Sequence, residues 1–414
     1  MGTDLYLLLR NRKTTSSSIL TILTLLALVV SCKSVIERQQ DVRPRILRDV
    51  PSQNLAYKLD PDVSPPSDLK LEDSTDKFAA VQNDFNTPRR KDDALLRTVV
   101  SPDGRRVLAL YGTADEPSSA FRIDLYSSDG MFLRNVIPPT ISCVFPETVS
   151  WSPDGSLINF IAHRRELPSP SPTPLEDTLP EPNAAPVPSP SVAPAFAPVA
   201  SFNTEQIYIC NRDGYDLKPL TSREGLIYFY FAWAPDGHAM VALACKEDEW
   251  NARERQNKLP AGRPRLIQPD GKERLLDDNL TDALPVWSPD AAKVATAFDT
   301  DVAIYDAASA RPTQARLPLG EQLLNASVVY EQKTATKKPE PSKNTNTKSN
   351  PSPTPISAQP STPVSFNPIV RIEWPSPERL YFQTAYLRIM RSEAINTFQR
   401  WHLLNLSAQA AVLK

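Results

Sequence analysis

Short apolar runs broken by polar turns recur along most of this chain, at a spacing too tight for helices. In "TVSWSPDGSLINFIAH" (148–163) one apolar run ends in Trp, a Pro-Asp-Gly corner follows, and a second apolar run begins. The same order returns in "RTVVSPDGRRVLALYG" (97–112), "YFAWAPDGHAMVALAC" (230–245), "LPVWSPDAAKVATAFD" (284–299) and, more worn, "VRIEWPSPERLYFQTA" (370–385). Proline presets the second turn position, aspartate tolerates the third, and glycine accepts a positive φ at the exit. Each copy therefore predicts a β-hairpin closed at Pro102-Asp103, Pro153-Asp154, Pro235-Asp236 or Pro289-Asp290. The runs "FRIDLYSSDG" (121–130), "QIYICNRDG" (206–214), "RPRLIQPDG" (263–271) and "VAIYDAAS" (302–309) read as third strands ending in a polar turn. "MFLRNVI", "YDLKPLT", "KERLLDD" and "PTQARL" suit a fourth, outer strand.

Spacing tests the repeat. The corner prolines are separated by 51, 82, 54 and 86 residues, and each long gap contains a proline-rich block. Without the 36 residues of 166–201 and the 34 of 333–366, the long gaps become 46 and 52. One period of about 50 residues remains, the size of a four-stranded propeller blade. The fold expected is all-β: a five- or six-bladed β-propeller of four-stranded antiparallel blades, spanning 95–414. The blocks 166–201 and 333–366 lack backbone donors at proline and carry few large apolar residues, so they are expected as disordered loop insertions. The tail 386–407 is read as two strands joined around Ser392–Thr397 that complete the fifth blade, with an amphipathic helix as the rival. Residues 32–94 are left as a tether or a degenerate first blade.

With "WSPDG", "INFIA", "QIYICNRDG" and "DLKPLT" in one unit, the second blade resembles the TolB-like β-propellers, a kind of WD-like repeat. That resemblance implies a recognition scaffold with one face capped by a protein partner, and usually six blades where five are counted here. Val100 replaces Trp in the first copy, Ala291 replaces Gly in the fourth, and Pro377-Glu378 stands at the fifth corner. At Ala291 a left-handed backbone costs roughly 1–2 kcal/mol, so these departures allow for turns of another shape.

The N-terminus changes the picture from a free propeller to an anchored one. Arg10, Arg12 and Lys13 precede the apolar run "ILTILTLLALVV" (19–30), which falls short of the ~20 residues that span a bilayer. The following "VVSC" resembles the bacterial lipobox, which implies removal of residues 1–31 as a lipoprotein signal peptide and lipidation of Cys32. The expected location is the bacterial cell envelope, facing the periplasm or the cell surface. Charge is nearly balanced, 46 Lys+Arg against 48 Asp+Glu, so no nucleic-acid partner is expected. Three cysteines remain, Cys143, Cys210 and Cys245, in no metal-binding spacing, and buried apolar thiols are the expectation.

No nucleophile elbow, phosphate loop or metalloprotease helix is present in the sequence, so no catalytic residue, metal or cofactor is assigned. Asp103, Asp154, Asp236 and Asp290 recur at one turn position and read as backbone acceptors. Trp151, Trp233, Trp287 and Trp374 recur before the corners and read as packing between sheets. Asp299 and Asp301 could face a cation but read as a solvated hairpin end. "KEDEWNARERQNK" (246–258) places Trp250 among mixed charges. A solvated loop or short helix is one reading, and a contact loop for a protein partner anchored by an exposed Trp250 is the other. The leading expectation is a non-catalytic, membrane-anchored envelope lipoprotein that binds another envelope protein. The alternative is a glycan- or peptidoglycan-binding module, or a propeller enzyme or hydrolase accessory.

Overall fold

Among the described residues five antiparallel sheets follow one another along the chain. The computed structural model describes residues 46–67, 69, 77–114, 119–166, 199–335, 365–366, 368–388 and 396–408. The architecture lies within Leu47–Lys414. The first sheet runs Asp93–Val100, Arg106–Thr113, Arg122–Ser127 and Phe132–Asn135. In the second, Ile141–Ser142 and Ser150–Trp151 share the inner edge, followed by Leu157–Arg164, Gln206–Asn211 and Lys218–Pro219. The third has Leu226–Trp233, Met240–Lys246, Arg263–Ile267 and Glu273–Leu275, and the fourth Val286–Trp287, Lys293–Phe298, Asp301–Asp306 and Gln314–Pro318. The expected blocks 166–201 and 333–366 lie almost wholly outside the described residues, as do the signal segment and Cys32.

Local chemistry explains the hairpins. At the first corner the Gly104 N–H donates to the Ser101 carbonyl at 2.9 Å. The Ser101 hydroxyl and the Arg105 N–H both donate to Asp103 Oδ1, at 2.7 and 3.1 Å. Ser152 and Ser156 repeat this around Asp154 at 2.6 and 3.1 Å, and Ser288 and Ala292 around Asp290 at 2.6 and 3.1 Å. The third corner has Ala234 in place of the serine and keeps the His238 N–H to Asp236 at 3.0 Å. Gly104, Gly155 and Gly237 have φ of 68°, 70° and 73°, and Ala291 has 58°. The allowance for a different turn at Ala291 is corrected: hydrogen bonds on both sides of it hold the repeated shape. Only the fifth corner departs, with Ser376 paired to Arg379 across Pro377-Glu378.

The sheets of this β-propeller pack face to face in chain order. Leu108, Leu110 and Ile123 meet Ile158, Phe160 and Tyr208 between the first two sheets. Ile161 and Ile207 meet Phe231, Met240 and Ala242 between the next two. Val241 and Leu266 meet Val294 and Tyr305, and Val302 and Ile304 meet Ile372, Phe382 and Leu404. The recurrent tryptophans stitch these interfaces. The Trp151 indole N–H donates to the Val99 carbonyl at 3.1 Å, Trp233 to Asn159 Oδ1 at 3.2 Å, and Trp287 to the Ala232 carbonyl at 3.0 Å. Trp374 instead donates to Pro377 in its own hairpin, at 3.4 Å.

The fifth sheet corrects two expectations. Its strands are Ser365–Phe366 and Ile369–Ser376, which share the inner edge, then Arg379–Arg388, Asn396–Ala408 and, outermost, Leu55–Val63 from the start of the chain. The tail forms two antiparallel strands and no helix among its described residues, the end of the second strand and the third, but it does not complete the sheet by itself. Residues 55–63 are neither a tether nor a blade of their own: they pair antiparallel with Asn396–Ala408, from Leu55 opposite Ala408 to Val63 opposite Trp401. An edge strand with unpaired backbone groups is thereby covered, and Leu55, Tyr57 and Leu59 turn their apolar side chains to the core between the last two sheets.

Among the described residues three α-helices lie outside the repeated strands, and the second of them matches the short-helix reading of 246–258. Helix α1 (Ala79–Phe85) lays Val81 and Phe85 on the first sheet, where Arg90 is held by Asp124 at 2.5 Å and Tyr126 at 2.9 Å. Helix α2 (Glu247–Arg255) lies between the second and third strands of the third sheet. Helix α3 (Gly320–Ala335) joins the fourth sheet to the fifth, so the expected insertion begins inside a helix. Because strands alternate in direction, all connections fall at one of two ends. The Pro-Asp corners and the third-to-fourth-strand turns share one end, the turn end. The second-to-third-strand connections, the links between sheets, α2 and α3 share the other, the loop end.

Candidate functional site

The two ends differ in what they expose. At the loop end Leu259 (73% exposed) follows α2, and Leu280 and Leu284 lie on the link from the third sheet to the fourth. On α3, Leu323, Ala326 and Ser327 are buried, while Leu324, Val328 and Val329 remain exposed on another side. Val370 is exposed where the fifth inner strand begins. The turn end exposes Val100, Met131 and Tyr215, and the Arg134 guanidinium lies 3.7 Å from the centroid of the Tyr215 ring. Ile46, next to the segment that meets the turn end, and the strand residues Leu96 and Leu275 are exposed as well. Both ends thus carry apolar side chains, and the loop end carries more of them, beside two helices that the repeat does not need.

Both helices are firmly seated. Trp250 is half-buried, its ring edge-on to Phe145 at 5.9 Å and tilted against Phe229 at 5.7 Å. The expectation of an exposed indole is corrected: two aromatic rings of neighbouring strands and links take up its faces. Three acidic residues, Glu247, Asp248 and Glu249, occupy the first turn of α2, where the helix dipole favours negative charge. Glu249 accepts from the Lys246 N–H at 2.9 Å and pairs with Arg263 at 2.7 Å, and the Arg263 bond holds its carboxyl below the usual range. Arg253 reaches Asp282 at 2.9 Å, fixing the apolar link that carries Leu280 and Leu284. Helix α3 is pinned by Arg400, which donates to Ser327 Oγ at 2.9 Å and to Asp62 Oδ2 at 2.7 Å, with its guanidinium 4.6 Å from the Tyr330 ring.

The remaining sequence candidates are dispersed. Asp103 and Asp154 face their own serines and backbone, and the serine hydroxyls hold both carboxyls low. Asp299 sits at φ 52° in a tight hairpin, and Asp301 pairs with Arg316 at 3.3 Å. His163 lies at the loop end, His238 at the turn end and His402 inside the fifth sheet. Among the described residues no group of three His, Cys, Asp or Glu is placed to hold a metal. Cys143, Cys210 and Cys245 are buried and form no disulfide among the described residues, and burial pushes the Cys210 and Cys245 thiols up to about 12.

A cleft of about 290 Å³ opens at the turn end between Arg48–Pro51 and the fourth sheet. Its charges are already engaged. Lys293 donates to Asp306 at 2.7 Å and to the Val50 carbonyl at 2.6 Å. Asp306 also accepts from the Ser52 hydroxyl at 2.7 Å and from the Thr313 hydroxyl at 2.6 Å. Burial pushes this carboxyl upward, but Lys293, Thr313 and Ser52 outweigh it and hold it at about 2. The cleft is the seam of a clasp that fastens the N-terminal strand. The sequence offered little to find it, because its partners lie more than 240 residues apart.

No family model and no curated protein matches the sequence. Among solved structures, a TolB-like protein from Agrobacterium tumefaciens shares 12% identity over 76% of this chain and 89% of its own, with a TM-score of 0.29. Oligogalacturonate lyase in complex with manganese shares 12% identity, with a TM-score of 0.31, over 52% of this chain. This chain covers about half of that one, 51%. Prolyl oligopeptidase B from Galerina marginata shares 10% identity over 73% of this chain and 33% of its own, with a TM-score of 0.38. Among the described residues no helix is long and apolar enough to cross a membrane.

Proposed function

We propose that this chain is a non-catalytic envelope lipoprotein of the TolB-like kind, held at a membrane through Cys32, whose propeller presents its loop end to a protein partner. One observation carries the reading: exposed leucines and valines are more numerous at the end that also carries α2 and α3 than at the opposite end, where Val100, Met131 and Tyr215 are exposed among polar corners. Apolar side chains on a rigid support favour protein recognition, since little ordering entropy is lost when they are covered. The aromatic seat of Trp250 makes it a positioning residue for that surface. The lipid anchor is supported by the run of Arg10, Arg12, Lys13, residues 19–30 and Cys32.

The test is a pull-down from detergent-solubilised membranes with the native full chain, beside Leu284→Asp and Val328→Asp variants of unchanged melting temperature. The reading expects one protein to be retained by the native chain and reduced at least tenfold by either substitution. Equal retention by all three, or retention on peptidoglycan or polysaccharide instead of protein, contradicts it.

A further inference from the structure

The place where the N-terminal segment joins the fold bears on how an anchored molecule stands on its membrane. Leu47–Asp49 and Ser52–Asn54 lie against the turn end of the fourth sheet, clasped by Asp306, Lys293 and Thr313. From there Leu55–Val63 runs along the outer edge of the fifth sheet toward the loop end. We infer that the turn end faces the bilayer, so that the plain corners meet the lipid headgroups and the loop end points away from them.

This rests on the lipid-anchor reading above. Fourteen residues lie between Cys32 and Leu47, fifteen backbone steps that reach at most about 50 Å when fully extended. Turning the loop end to the bilayer would send this segment back along the height of the sheets, about 25 Å for eight-residue strands. That route consumes half its reach. The clasp also resists sliding. Asp306 is 2% exposed and engages Ser52 through both backbone and side chain, so the exit point of the segment is fixed to the fourth sheet. Residues 33–46 carry Lys33, Arg38, Arg43 and Arg45 against Glu37 and Asp41, a basic excess suited to an anionic headgroup layer.

The experiment uses the acylated full chain in vesicles of phosphatidylethanolamine and phosphatidylglycerol with a headgroup-linked quencher. Single fluorophores are attached at Arg105→Cys and Arg311→Cys for the turn end, and at Leu259→Cys and Leu284→Cys for the loop end. The native thiols are buried and stay unlabelled. The inference expects quenching at the first pair at least twofold above that at the second. Equal quenching, or stronger quenching at Leu259 and Leu284, on protein whose N-terminal peptide carries the acyl mass, overturns the orientation alone. Absence of acyl mass on Cys32 from native cells removes the anchor, and the orientation falls with it.

Discussion

Ala291 takes φ 58° where three other corners have glycine. A Cβ in that region costs roughly 1–2 kcal/mol, part of which glycine returns through its freer unfolded chain. Ala291→Gly is therefore expected to stabilise the fold by about 1 kcal/mol in urea denaturation, and a loss of stability would contradict the turn assignment. His402 provides a second test. It is 1% exposed, stacked on Phe382 at 5.1 Å and bonded to Thr384 at 3.0 Å. Burial first, and the Arg400 charge second, lower its pKa from 6.5 to about 4. The unfolded chain then takes up the proton before the folded one. The stabilisation is complete above about pH 6.5 and is lost as pH falls to about 4, by about 3 kcal/mol. His402→Gln should flatten that part of the stability profile, and an unchanged slope would show that the ring is not held neutral.

Among the elements, α2 depends on one indole. Trp250→Ala opens the contact with Phe145 and Phe229 and is expected to cost about 2 kcal/mol, less than the ~3–5 of a fully buried aromatic. Hydrogen exchange should rise over 247–255 and stay unchanged in the first sheet. Exchange unchanged over α2 would mean that the salt bridges of Glu249 and Arg253 hold it alone. The N-terminal strand depends on the clasp. Asp306→Asn leaves Lys293 buried and unpaired, which costs about 3 kcal/mol or more, whereas a paired change of Lys293→Met with Asp306→Leu should recover much of it. Limited proteolysis between 47 and 63 reads the difference directly, and a clasp-broken variant as resistant as the native chain would refute the role. The hairpins were legible because Pro, Asp and Gly act within four residues of one another. The clasp was not, since Ser52 and Asp306 look like ordinary turn residues until the chain closes. Helix α3 was hidden for a related reason: "LLNASVV" suits strand or helix, and only packing by Arg400 and the last two sheets decides.

At the scale of the whole molecule, a local repeat builds a body with two unlike ends. The period of about 50 residues specified stacked four-stranded sheets, but it did not show that the second proline-rich block, read as 333–366, overlaps the end of α3 and the short strand Ser365–Phe366. It did not reveal that the last sheet borrows its outer strand from the first residues of the fold, since strand partners carry no mark of sequence distance. Nor did it reveal the apolar character of the loop end, because single exposed leucines are common in any surface. They become informative once the topology places Leu259, Leu284, Val328 and Val370 at one end. The most direct measurement is in-cell photo-crosslinking with a photoreactive residue placed singly at Leu259, Leu284 or Val328, and at Arg105, Ser156 or Arg311. The account predicts one common protein adduct from the first three positions and none from the second three. The same adduct from the corner positions, with none from the loop end, would contradict it.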